Sequence, residues 1–176
     1  MILAKRLEPA ALDSTRAAFG RVWDSERERV RRLLVRLCAD PDTADDLVQE
    51  VALRALAAYG GFRGQCAVST WLYRIAVNVV VRHRARVGAL GEEPLSDGLP
   101  SGDGPERTVL ALDAVGRLQG ALHRLPDDLR IPLTLLVWEG MKYREIAAVL
   151  EIPLGTVMSR LHTARQRLRE ELGDGL

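Results

Sequence analysis

Between Gly88 and Thr108 the chain carries five glycines and three prolines in twenty-one residues, and residues with helical apolar spacing lie on both sides. A run of this composition neither extends a helix nor joins a packed core. The chain is therefore divided into two modules, residues 1–87 and 109–176, joined by a linker at 88–108. No period-two run long enough for a sheet occurs and no segment repeats, so both modules read as helical. Of the 176 residues 47% are hydrophobic but only 5% aromatic, so the cores must be built from Leu, Val and Ala. That composition suits an all-α chain of two small helical domains.

In the first module Asp13 or Ser14 caps a helix in which Phe19, Val22, Trp23, Val30, Leu33, Leu34 and Leu37 recur at three- and four-residue steps, ending near Asp40-Pro41. A second helix runs from the Asp42/Thr43 cap to Tyr59, burying Ala44, Leu47, Val51 and Leu56, and Gly60-Gly61 stops it. Phe62 to Ser69 is a loop, after which Ser69 or Thr70 caps a third helix with Trp71, Leu72, Ile75, Ala76, Val79 and Val80 on its apolar side. Beyond the linker, helices are expected over Val109–Leu125, Asp127–Trp138, Lys142–Leu150 and Leu154–Leu172.

The net charge of +1 hides two basic islands. Tyr59 to Val87 holds five arginines and no acid, and Ile152 to Arg169 holds four arginines and no acid. The linker is acidic, with Glu92, Glu93, Asp97, Asp103 and Glu106 against Arg107. One basic island is as readily a solvated helix face, but one on each module favours a polyanionic partner.

Only Glu151, Ile152 and Pro153 separate the last two helices, and Ile146, Ala147, Leu150, Ile152, Val157 and Leu161 take the buried positions of a helix-turn-helix. Thr156, Ser159 and Arg160 then face bases, while Arg165, Arg167 and Arg169 lie further along and suit phosphates. His162 on the same helix meets DNA or solvent. In the first module Trp71 and Tyr73 stand beside Arg74, Asn78 and Arg82 and a glycine-containing loop with Arg63, Gln65 and Ser69, a combination suited to separated bases, since rings stack and arginines hold backbone. Trp71 also shares the apolar stripe, where a core role is the simpler reading. Asp45, Asp46, Gln49 and Glu50 form an acidic, polar patch that repels DNA but suits a basic protein surface.

These residues resemble the extracytoplasmic-function sigma factors of bacterial RNA polymerase. Ala44-Asp45-Asp46-Leu47-Val48-Gln49-Glu50-Val51 is similar to the family's core-polymerase-binding segment. Phe62-Arg63-Gly64, with Thr70 to Ala76 and Asn78, is similar to its promoter-melting and minus-10 reading segment. Leu125-Pro126, Glu139-Gly140, Tyr143, Glu145-Ile146-Ala147, Pro153 to Val157, Ser159-Arg160-Leu161 and Ala164-Arg165 resemble its minus-35 reading domain. The resemblance implies a sigma-2-like and a sigma-4-like domain that bind polymerase core, through its beta and beta-prime subunits, and promoter DNA. It implies core contacts by Asp45, Asp46, Gln49 and Glu50, minus-10 contacts by Arg63, Gln65, Ser69, Trp71, Tyr73, Arg74, Asn78 and Arg82, and minus-35 contacts by Thr156, Ser159, Arg160, His162, Arg165 and Arg167. It further implies a cytoplasmic, non-enzymatic protein, monomeric when free, held inactive by an anti-sigma factor that can tether it indirectly to a membrane, and using no cofactor, metal or small ligand. The linker's twenty-one residues reach roughly 70 Å at most, enough to span two promoter elements.

Departures from the family pattern fall where specificity is read. Gln65 stands in place of an acid, Val68 and Ser69 replace an aromatic and basic pair, Met158 replaces a lysine suited to a phosphate, and Lys142 replaces the usual Ser cap. Glu151 takes the place of a turn glycine, so a non-glycine residue is expected in a left-handed conformation. The competing reading is a stand-alone helix-turn-helix regulator whose first module binds a protein or ligand; it would need neither the acidic helix nor a strand-melting segment. An enzyme is disfavoured: His83, His123 and His162 lie on separate helices, neither Cys38 nor Cys66 has a partner at metal or catalytic spacing, and no phosphate-binding glycine loop occurs. Met1 to Asp13 and the later apolar runs fall short of a membrane span, and a soluble, unprocessed protein is expected.

Overall fold

The apolar spacing from Phe19 to Leu37 produces a long first helix, α1 (Pro9–Cys38), whose Val30, Leu33, Leu34 and Leu37 are fully buried. The computed structural model describes residues 9–38, 40–89, 117–118 and 120–173. Most of the expected linker, the start of the Val109 helix and the linker acids lie outside the described residues. α1 is already helical at Pro9, upstream of the expected Asp13/Ser14 cap.

The start of α2 (Pro41–Tyr59) also differs from expectation. Asp40 is the cap: its carboxylate accepts from the Asp42 N–H at 3.3 Å and the Thr43 N–H at 2.9 Å. Pro41 is tolerated in the first turn because the N–H it lacks would have had no helical partner, so the helix begins before the Asp42/Thr43 pair. The Thr43 hydrogen bonds hold the Asp40 carboxyl below its ordinary range. A depressed folded-state pKa means the cap's contribution is complete above the unfolded value and lost as pH falls through the folded one. Asp40→Ala is expected to cost about 1 kcal/mol at neutral pH, and the deficit against the wild type should vanish in acid; thermal melts at pH 7 and below pH 3 measure both.

α3 (Val68–Ala89) begins before the expected Ser69/Thr70 cap, because the Ala67 carbonyl already accepts the Trp71 N–H at 3.1 Å. It runs through Gly88 and Ala89, the first two residues of the expected 88–108 linker, which are therefore helical. Leu72, Ala76, Val79 and Val80 are buried as expected, but so are Tyr73 and Val77, while Trp71 and Ile75 are half-buried at the core's edge. α1, α2 and α3 pack on one another. Phe19, Tyr59, Trp71 and Phe62 form an aromatic file along the edge of this bundle, with ring centroids 5.5, 6.2 and 4.9 Å apart in turn.

Residues 120–124 are helical and lead into α4 (Asp127–Val137), α5 (Tyr143–Leu150) and α6 (Leu154–Leu172). Lys142 precedes α5, and the expected loss of a side-chain cap is partly offset because the Glu145 carboxylate accepts the Lys142 N–H at 2.7 Å. α5 ends in the expected left-handed turn: Glu151 has φ 55° and ψ 39°, and the Ile152 N–H reaches back to the Ala147 carbonyl at 3.2 Å. A side chain in this conformation costs about 1–2 kcal/mol, part of which glycine would return as unfolded-chain entropy. Its exposed ion pair with Arg74 contributes little. Glu151→Gly should therefore raise the melting temperature of the whole chain by about 2–4 °C; an unchanged or lower value in calorimetry contradicts a strained turn.

α5 and α6 pack on each other and on α4 around Ile146, Val149, Val157, Leu161 and Ala164. The two halves also meet: α3 packs on α5 and α1 on α4, and their buried apolar side chains form one continuous cluster. Among the described residues there is no strand, and no helix is long and apolar enough to cross a membrane.

Candidate nucleic-acid and polymerase interfaces

α2 presents its acidic patch at the outside of the first bundle. Asp45, Asp46 and Gln49 are exposed and Glu50 is half-buried. They are not equivalent. Asp45 is clamped by Arg31 of α1 through Nε at 2.6 Å and Nη2 at 3.2 Å, which holds its carboxyl below the ordinary range, and Glu50 accepts Arg54 at 2.5 Å. Asp46 and Gln49 lie one turn apart, and the same face carries Leu53, 69% exposed. Leu53 was not picked out from the sequence, although its place four residues after Gln49 and seven after Asp46 puts it on their face. An exposed leucine bordered by acids is suited to a partner that is basic and partly apolar.

The loop before α3 exposes Arg63, Gly64 and Gln65, with Gly64 in a left-handed conformation at φ 70°. Ser69 is half-buried and Trp71 packs one face on Phe62 at 4.9 Å, so its ring is both part of the aromatic file and partly accessible. Asn78 and Arg82 are exposed. Tyr73 and Arg74 are not available in this arrangement. Tyr73 is 2% exposed and its hydroxyl donates to Glu139 at 2.5 Å. Burial, then the bond to Glu139, push its phenol well above the usual range, so it is a protonated donor. Arg74 donates to the Ala148 carbonyl at 2.8 Å and pairs with Glu151 at 3.2 Å. The Ala148 carbonyl is one of the four at the end of α5 without a helical partner, which is why a guanidinium finds it.

In the second half Ser159, His162, Arg165 and Arg167 are exposed on α6 and Thr156 is half-buried. The Ser159 hydroxyl donates to the Thr156 carbonyl at 3.0 Å, a local bond easily exchanged for an outside partner. Arg165 approaches the Tyr143 hydroxyl at 3.3 Å, which ties the basic helix to the first helix of the motif. Arg160 is on another side: its Nε lies 3.9 Å from Asp128 of α4, at the rim of a groove of about 340 Å³ between the halves, with Asn78 and Val81 opposite. Arg84 and Arg130 were not singled out beforehand. Arg130 is 3% exposed, bonded to Asp127 and to the His123 carbonyl, and Arg84 bridges Asp127 at 2.5 Å and the Leu37 carbonyl. The first basic island is thus partly structural.

Burial pushes the Cys38 thiol up to about 11, so it stays protonated near neutral pH, the unreactive form. Burial lowers the pKa of His83 and His123. Among the described residues no three His, Cys, Asp or Glu side chains gather as a metal site would require.

The helices therefore define a two-part, all-α chain that ends in a helix-turn-helix with a basic second helix. The sigma-70 region 2 family matches residues 22–89 and the sigma-70 region 4 family residues 116–168. The RNA polymerase sigma-H factor of Pseudomonas aeruginosa is 34% identical over 83% of this chain and 81% of its own. The ECF RNA polymerase sigma factor SigW of Bacillus subtilis is 30% identical over 99% of this chain and 98% of its own. Among solved structures, the sigma factor RpoE in complex with the anti-sigma factor NepR from Bartonella quintana has 26% identity and a TM-score of 0.69, covering 90% of this chain and 99% of that one. The chain belongs to the extracytoplasmic-function RNA polymerase sigma factors. Membership favours transcription initiation over the stand-alone regulator.

Proposed function

We propose that this sigma factor binds polymerase core through the Asp46, Gln49 and Leu53 face of α2, with Asp45 and Glu50 as its clamped border. Residues 1–87 form the unit that engages core and the minus-10 element, residues 109–176 read the minus-35 element, and 88–108 link them. The loop residues Arg63 and Gln65, with Trp71, Asn78 and Arg82, meet the melted strand, joined by Ser69, Tyr73 and Arg74 once the halves separate. Ser159, Thr156, Arg160 and His162 face the minus-35 bases, and Arg165 and Arg167 hold phosphates. The single observation carrying this reading is the placement on one chain of an acidic, apolar-centred face on α2 and of a basic helix-turn-helix on the opposite module. It acts in the cytoplasm as a non-enzymatic factor, and an anti-sigma factor is its natural regulator, by likeness to the solved complex.

Reconstitution with bacterial core polymerase on fragments of the source genome tests this. Thymines near a start site should become permanganate-reactive only when core and this protein are both present. Duplex that stays closed with the pair, while the protein alone binds discrete sites, would establish the stand-alone regulator instead.

A further inference from the structure

We propose that Met158 reads the C5-methyl group of a thymine in the minus-35 element, so that this chain selects an A·T pair by an apolar contact beside its hydrogen-bonding residues. The inference rests on the promoter-reading assignment above and narrows it to one side chain and one chemical group. Leu154 and Met158 are 38% and 53% exposed and stand one turn apart in the first two turns of α6. Their row continues four and seven residues beyond Met158 through His162 and Arg165, both exposed. Val157, Leu161 and Ala164 take the buried side of the helix, and Thr156 and Ser159 bracket Met158 in the chain. The apolar part of the row thus lies at the end of the helix that a helix-turn-helix turns towards base edges, and its arginine comes later, where backbone is met.

A single exposed apolar side chain needs no explanation, but an adjoining pair on the face turned to a polyanion does. Phosphates offer this pair nothing, since a thioether is at most a weak acceptor and leucine neither donates nor accepts. The base edges of the major groove are donors and acceptors as well, apart from the thymine methyl. Met158 suits that methyl better than Leu154 does. It is the more exposed of the two, and its unbranched chain has three rotatable bonds with which to follow a small apolar target. One helical turn advances the two residues by about 6 Å, whereas successive bases rise by roughly 3.4 Å, so they do not meet the same methyl and one thymine falls to Met158.

The test uses holoenzyme assembled from the full chain and bacterial core polymerase. A minus-35 element is selected from promoters randomised there, and each of its thymines is replaced in turn by deoxyuridine, which removes the methyl and keeps the pairing edge. At one thymine the replacement should weaken wild-type binding about fourfold, the worth of one buried CH₂. Met158→Leu should keep that ratio and Met158→Ala should bring it to one. Met158→Lys should also bring it to one while steepening the salt dependence by about one. A wild type indifferent to deoxyuridine at every thymine overturns the proposal without recourse to any variant, and leaves the apolar row to a protein partner. An equal fourfold ratio in wild type and Met158→Ala overturns it too and gives the methyl to Thr156 or Leu154. Failure of wild-type holoenzyme to select any shared element is a different result: it strikes the promoter-reading assignment, and the methyl contact with it.

Discussion

Replacing Asp46, Gln49 and Glu50 together by alanine is expected to weaken binding to core polymerase by at least about a hundredfold and to abolish core-dependent initiation. A few well-placed side chains carry most of an interface's energy, with losses of 2 kcal/mol or more at the dominant ones. On the proposed reading the patch is one of these: Asp46 and Gln49 are exposed beside Leu53, while Asp45 and Glu50 are held by Arg31 and Arg54 and so present a preset charge pattern. None of the three replaced side chains is buried, so the fold should survive. Titration of labelled protein with core measures the effect, and wild-type affinity in the triple variant would move the interface elsewhere. Duplex minus-35 binding should be retained, which separates this result from misfolding.

The second large effect is expected from Arg160→Ala. A guanidinium paired bidentately with guanine discriminates by about 1–3 kcal/mol, so initiation from a promoter with its preferred minus-35 element should drop about 5- to 150-fold and tolerate base changes at one position. Arg167→Ala should instead weaken binding to all sequences alike and reduce the salt slope by about one, the mark of a phosphate contact. In the free chain Arg160 lies 3.9 Å from Asp128. To meet a base as proposed, it must leave that neighbour. If Arg160→Ala holoenzyme keeps full discrimination at every minus-35 position, base reading rests on Thr156, Ser159 and His162 instead.

Local chemistry explains which features were legible beforehand. Helix α6 spans Leu154–Leu172 as its apolar period indicates, and Glu151 takes the left-handed conformation expected from its standing where the family has a turn glycine. Asp40 caps α2 in place of the expected Asp42/Thr43 pair because Pro41 is accommodated in the helix's first turn. What could not be read were the pairings made across the chain. Tyr73 looked like a ring for bases because the acceptor of its hydroxyl, Glu139, lies sixty-six residues away in the second half. Asp45 looked like a free carboxylate because Arg31 lies fourteen residues upstream on another helix. Arg84 belonged to the first basic island, yet it serves Asp127, as Arg130 does. Periodicity shows which residues are inside, but an arginine's partner is decided by how helices meet.

The most direct measurement is in vitro transcription by bacterial core polymerase over a fragmented genomic library of the source organism, with start sites mapped in the presence and absence of this protein. Start sites that depend on it and share two short elements at fixed spacing are predicted, their minus-35 half matching the duplex that the protein's second module selects. Start sites unchanged by the protein, or dependent on it without a shared pair of elements, would contradict the account.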